Sequence, residues 1–181
     1  MVWLTSYSLT PGPTSHAVAH WPATKISRSN SPTLVIAVHP YCPCTRATLE
    51  ELSRVLAKCN RCPAVHLLFY RPLDQTESWA RTGMWQSAST LPRTQIIEDK
   101  GGIEAKRFGL STSGEAALYD AQGELVFRGG ITSARGHAGD NYGEAAVVEF
   151  ANTGLRPRSF TPVFGCSLLS SDTIRNVAST P

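Results

Sequence analysis

The 181-residue sequence predicts an α/β domain with a central mixed sheet and flanking helices. Three observations carry this. "TLVIAV" (33–38) is continuously apolar, as a parallel strand covered on both faces must be. "TRATLEELSRVLAKC" then repeats apolar residues at Leu49, Leu52, Val55, Leu56 and Cys59, the stripe of a helix. "AVHLLFYRP" (64–72) is a second buried strand, ended by Pro72. Strand, helix and strand in this order call for parallel pairing.

The first helix also places Glu50 and Arg54 as a favourable i,i+4 pair on its outer face. Residues 73–110 read as irregular and partly helical, with Trp79 and Trp85 packing beneath an insertion. Within that segment, "IEAKRFGL" (103–110) is a short helix. "EAALYDAQGELVFRGGIT" gives two short strands around "DAQG", the signature of a hairpin. "NYGEAAVVEFAN" (141–152) closes the domain as a helix, with Asn141 and Glu144 at the spacing of a capping box. The organisation is therefore a lead (1–31), a domain (32–152) and a loop-like tail (153–181) that carries Cys166.

Hydrophobic residues make up 41% and charged residues 17%, the balance of an ordinary globular chain. The net charge of +3 is scattered, with no basic run, which argues against nucleic acid as a partner. No stretch reaches the ~20 apolar residues of a membrane span. The opening "VWLTSYSL" lacks the form of a signal peptide. Together with the Pro/Gly/Ser-rich stretch after it, it reads either as the end of a membrane tether that begins upstream of Met1 or as a disordered start.

The five cysteines are Cys42, Cys44, Cys59, Cys62 and Cys166, an odd number that leaves room for one thiol to change partners. "HPYCPCTRATLEEL" puts Cys42 and Cys44 around Pro43 where the first strand hands over to the helix. A βαβ unit, a connecting helix, a hairpin and a closing helix form the element order of the thioredoxin fold. The chain resembles the TlpA-like branch of the redoxins, which read approximately "WCxxCRxE" and later "PTTFLIDxxGxIVxxxxG". In "YCPCTRATLEEL", Cys42 takes the first-cysteine place, Thr45 the second and Arg46 the arginine, while "LYDAQGELVFRGG" follows the hairpin. Two departures stand out. The second cysteine has moved forward to Cys44, and Gly114 occupies the place of the family's cis-proline. "HPYCPCTRA", "GGITSARGHAGDN" and "PVFGC" together are closer still to a bacterial redoxin-like group labelled RedB.

A cysteine at a helix N-terminus faces unpaired N–H groups and the positive end of the helix dipole, which favour the thiolate. Cys42 is thus the attacking thiol, with Arg46 and His39 near enough in sequence to tune its proton. Two thiols compete to resolve a mixed disulfide. A Cys42–Cys44 bridge closes a small, strained ring. Cys166 can return to the site, because ~14 tail residues span up to ~46 Å when extended and the closing helix travels only ~17 Å. "ARGHAGDNYG" (134–143) follows the hairpin, so the fold sets it beside the cysteines. There His137 is a candidate proton donor or metal ligand, and Asp140 and Asn141 are candidate caps. Cys59 sits on the apolar stripe and reads as core, or pairs with Cys62 in a local disulfide at the helix end; neither reading is catalytic. Along one helix Cys59 lies ~22 Å from Cys44, too far for a shared zinc at ~2.3 Å bonds. His16, His20 and His66 read as structural or solvent-facing.

Two functions follow. The first is a thiol–disulfide oxidoreductase in an extracytoplasmic, periplasmic compartment, possessing no cofactor. It would act on protein thiols and disulfides, with a reductant or oxidant protein as second partner. The catalytic set would be Cys42, Cys44, Cys166, Arg46, His39 and His137. The second is a soft-metal carrier, with copper held by Cys42, Cys44, His137 and Cys166. A peroxidase is disfavoured, since His39 stands where the "PxxxTxxC" pattern has its Thr.

Overall fold

A computed structural model describes residues 8–13 and 18–168. His16, most of "VWLTSYSL" and the chain beyond residue 168 lie outside the described residues. Five strands form one sheet: β1 (Thr33–Val38), β2 (Ala64–Arg71), β3 (Thr94–Lys100), β4 (Glu115–Tyr119) and β5 (Leu125–Gly130). Their order is β3-β2-β1-β4-β5, with β1, β2 and β3 parallel and β4 and β5 antiparallel to their neighbours. The helices are α1 (Pro43–Lys58), α2 (Gly83–Ser89), α3 (Ile103–Arg107) and α4 (Tyr142–Thr153). This is the thioredoxin-like, mixed-sheet architecture expected from the element order.

β1 is buried at every position, because helices and packed loops cover both faces of the sheet. On one face Leu34, Ile36, Leu67 and Phe69 meet Leu49, Leu52 and Val55 of α1 and Val147 and Phe150 of α4. On the other, Val35, Ala37, Leu68 and Tyr119 meet Ala105, Phe108 and Ile26, with Trp21 packed against them. Residues from the lead therefore form part of the second core.

Three local readings change. Residues 94–100 form strand β3 rather than irregular chain. Only Ile96 and Ile97 are apolar there, and the strand sits at the edge of the sheet, where half-exposed polar residues are tolerated. α3 stops at Arg107, three residues short of the expected end. Arg54 pairs with Asp140 at 2.9 Å and lies 3.7 Å from Glu51, while Glu50 lines a surface cleft. The hairpin and the last helix hold as read. Asp120 accepts from the Gln122 and Glu124 N–H groups, and Asn141 caps α4 by accepting from Gly143 and Glu144.

The tail runs back along the sheet. Arg128 donates its backbone N–H to Ser159, and Thr161 donates back to Arg128. Gly129 makes this approach possible, since a Cβ there would lie 2.3 Å from the Thr161 carbonyl. Beneath the tail, Glu115 and Arg128 form a buried ion pair at 2.5 Å. The other Glu115 oxygen accepts from the Ser111 and Thr112 N–H groups. Removing one partner of such a pair leaves an uncompensated buried charge. Arg128→Met is accordingly expected to lower unfolding stability by about 3–5 kcal/mol, measured by urea denaturation. A loss under about 1 kcal/mol would mean that the loop N–H groups alone satisfy Glu115.

Candidate active site at the start of the first helix

α1 begins where β1 ends. Cys42 is its N-cap, Pro43 occupies the first turn where no N–H is needed, and Cys44 follows. No acidic residue lies in that turn to oppose a thiolate. Thr45 donates its hydroxyl to the His39 carbonyl and shares a 3.0 Å hydrogen bond with Ser113. Ser113 in turn accepts from the His39 N–H. The strand end, helix start and the loop before β4 are thus tied together. Gly114 completes that loop. Its φ is +89°, and a Cβ would come 2.8 Å from the Thr48 hydroxyl, so only glycine lets the loop meet α1.

The tail delivers Cys166. Ser113 donates its N–H to the Cys166 carbonyl, Leu168 donates to Ser111, and Thr112 pairs antiparallel with Ser167. The Cys42 and Cys166 sulfurs lie 3.0 Å apart. The lead closes over this arrangement, with Gly12 donating to Val163 and the Pro13 carbonyl accepting from Ser111 and Thr112 hydroxyls.

The thiols divide the charge unequally. A hydrogen bond from Cys44, and next in weight among the favourable causes one from Cys166, lower Cys42 to about 4 against the opposing effect of burial. Donating to Cys42 pushes Cys44 far up, helped by burial. Burial first, and the bond to Cys42 second, raise Cys166 to about 11. Cys42 is therefore a thiolate with two thiol donors.

The loop before α4 reaches the sulfurs through residues the sequence reading left unnamed. Arg135 hydrogen-bonds Cys166 and opposes its rise, and the Gly136 backbone acts on Cys44 in the same sense. Glu51 anchors the loop by accepting from the Gly139 N–H, and Asp140 pairs with Arg54 and Lys58. His137 is exposed and bonded to the Arg135 carbonyl at 2.7 Å. Arg46 is exposed beside the cleft that Tyr41 and Met84 line. His39 lies near Cys42 but is held below the ordinary imidazole value, chiefly by burial. Its Nδ1 accepts from the Tyr41 N–H, which leaves the ring proton on Nε2. The ring stacks on Tyr70 and meets Trp79 edge-on, both at 5.6 Å. Trp79 thus belongs to the site's surroundings, whereas Trp85 packs on Phe69 in the core.

Cys59 and Cys62 stand at the far end of α1 as thiols, and Cys62 donates to the Leu56 and Cys59 carbonyls. Among the described residues no group of three or more His, Cys, Asp and Glu side chains is placed to hold a metal ion. Nor is any helix there long and apolar enough to cross a membrane.

No family model matches the sequence, and no curated protein does. Solved structures do. An uncharacterized conserved protein from Geobacillus kaustophilus aligns with a TM-score of 0.61 at 15% identity, over 90% of this chain and 93% of that one. A hypothetical protein from Sinorhizobium meliloti aligns with a TM-score of 0.54 at 18% identity, over 89% and 94%. The likeness is one of fold. A thioredoxin domain of a thiol-disulfide oxidoreductase from Bacteroides vulgatus gives 0.47 at 17% identity, over 80% of this chain and all of that one.

The charge division predicts a pH response. As pH falls through about 4, Cys42 takes up its proton and the thiolate ultraviolet absorbance of the reduced protein disappears. Cys44→Ala should move that midpoint up by about one to two pH units, the worth of a charge-assisted hydrogen bond. Cys166→Ala should move it less. Absorbance titration of the three proteins checks both the direction and the ranking.

Proposed function

We propose that the chain is a thiol–disulfide oxidoreductase acting on protein thiols and disulfides, with Cys42 as the attacking thiolate and Cys166 as the resolving thiol. One observation carries the reading: the Cys42 sulfur, at the start of a helix, lies 3.0 Å from a second thiol delivered by a distant part of the chain. A thiolate at that position is the reactive form for disulfide exchange. The Cys42–Cys166 pair also avoids the small ring that Cys42 and Cys44 would close.

Written as reduction of a partner, the Cys42 thiolate attacks one sulfur of the partner's disulfide. A mixed disulfide forms, and the second partner sulfur leaves as a thiolate that takes a proton from solvent. Cys166 then loses its proton and attacks the Cys42 sulfur. The Cys42–Cys166 bond forms, the mixed disulfide breaks, and the released partner thiolate takes up a proton. Two electrons pass to the partner, and the reverse sequence oxidises a dithiol. Cys44 serves as the hydrogen-bond donor that holds Cys42 ionised. His39, Arg46 and His137 have supporting parts at most: His39 through its place beside Cys42, the other two through the surrounding surface.

The cysteine pattern and the motifs around it favour an extracytoplasmic setting, a TlpA-like or RedB-like kinship and a partner protein that restores the redox state. Glutathione redox titration of metal-free protein, with alkylation and mapping of each thiol, tests the reading. Cys42 is expected to pair reversibly with Cys166, at a potential within roughly −120 to −270 mV. Cys42→Ser should abolish the couple. Absence of any reversible Cys42 disulfide in the unsubstituted protein sinks the proposal.

A further inference from the structure

Around Cys42 the tail behaves as a docked peptide. Its backbone adds to the edge of residues 111–113 through two hydrogen bonds flanking an antiparallel Thr112–Ser167 pair, the geometry of strand addition. Leu168, only 3% exposed, fills the second core beside it. With the tail in place Cys42 is 2% exposed, so a partner's sulfur has no room to approach.

The same geometry restricts what can lie on this edge. Gly165 immediately precedes Cys166, and a Cβ built on it would fall 1.8 Å from the Ser113 carbonyl oxygen. No positive φ is involved; the exclusion is one of contact alone. The Ser113 carbonyl cannot retreat freely. Its residue is fully buried and bonded to His39 and Thr45, and Glu115 holds the two residues before it.

We propose that the tail is an internal occupant of the site's partner-docking edge, and that a partner protein displaces it with an extended segment in which glycine directly precedes the reacting cysteine. The proposal rests on the oxidoreductase reading and gives its substrate class. It also orders the exchange. The partner strand lies on residues 111–113 while its sulfur is joined to Cys42. Return of the tail to that edge then brings Cys166 to the Cys42 sulfur and expels the partner strand, so resolution and release are one movement.

The tail's own octapeptide, TPVFGCSL, supplies the probe, as a mixed disulfide with a nitrothiobenzoate group whose release is followed by absorbance. Its counterpart carries alanine in place of the glycine. The protein is the full chain, reduced, as wild type, Gly165→Ala and Leu168→Ala; the last weakens tail docking without a backbone clash. Both variants should expose Cys42, raising its rate of labelling by N-ethylmaleimide about tenfold or more, the scale of an overpacking or core-truncation penalty. On Gly165→Ala, the glycine peptide should react about tenfold faster than the alanine peptide, for the same steric reason. Unchanged labelling in both variants would overturn the occupancy, and equal peptide rates would overturn the docking rule. Either failure leaves the oxidoreductase reading standing if the Cys42–Cys166 couple still titrates with glutathione. If Cys42 reacts with neither peptide nor glutathione, both proposals fall.

Discussion

The site is organised by one buried carboxylate. Glu115 has no exposed surface, and its charge is matched by Arg128 on the neighbouring strand. One of its oxygens is committed to that guanidinium, and the other gathers the N–H groups of Ser111 and Thr112. A loop that would otherwise expose its donors to water is therefore fixed with its remaining backbone groups facing outward. Those groups receive the tail, and Ser113 receives the end of β1 and the start of α1. A buried ion pair is weak evidence for net stability, because desolvation offsets much of the attraction. Its consequence here is placement: the pair sets where Cys166 meets Cys42.

Electrostatics follow from that placement. Three thiols in a partly buried space cannot all ionise, since like charges at such distances oppose each other and burial disfavours every charge. The negative charge settles on Cys42 because both neighbouring thiols can donate to it, together with their own backbone N–H groups. On the proposed reading this explains why the motif is Cys-Pro-Cys. Pro43 contributes no N–H to compete and suits the first helical turn. Cys44, one residue further, is near enough to give its proton toward Cys42 and is thereby kept a poor nucleophile itself.

Much of the fold was legible because its central elements carry periodicity that only one structure satisfies. β1, α1, β2, the hairpin and α4 all appear where the apolar pattern and turn residues put them. β3 was not legible, since an edge strand with two adjacent isoleucines between polar residues shows neither alternation nor a continuous run. The site divides in the same way. Cys42 and Cys166 could be brought together by chain reach and local motif alone. The loop 134–143 was recognised as adjacent, yet which of its side chains turns inward depends on tertiary contacts. Gly139 is held by Glu51 and Asp140 by two cations of α1, and that leaves Arg135 facing Cys166 with His137 on the outside. Glu115 offered no signal. A carboxylate at the start of a short strand looks like a surface residue until its diagonal neighbour across the hairpin is known to be Arg128.

Segments from both sides of the domain, 8–13 and 161–168, pack against the site and against each other. The lead binds the tail at Val163, the 111–113 loop through Pro13, and Arg135 through the Thr10 carbonyl. Gly12 lies at the crossing, where a Cβ would meet Thr112 and the Gly165 carbonyl within 3.0 Å. Lead, tail and loop therefore pack closely at two glycines, with the Thr112 side chain filling the space where they meet. The tail cannot shift along the edge without disturbing the lead, and the lead contacts the same arginine that reaches Cys166. Position of the tail, shielding of Cys42 and the proton affinity of Cys166 are set by one group of contacts. On the proposed reading this matters more than the strength of any single hydrogen bond, because a Cys42 thiol lowered to about 4 is ionised across the physiological range. On that reading access controls its reaction, and access is set by how segments 8–13 and 161–168 are held.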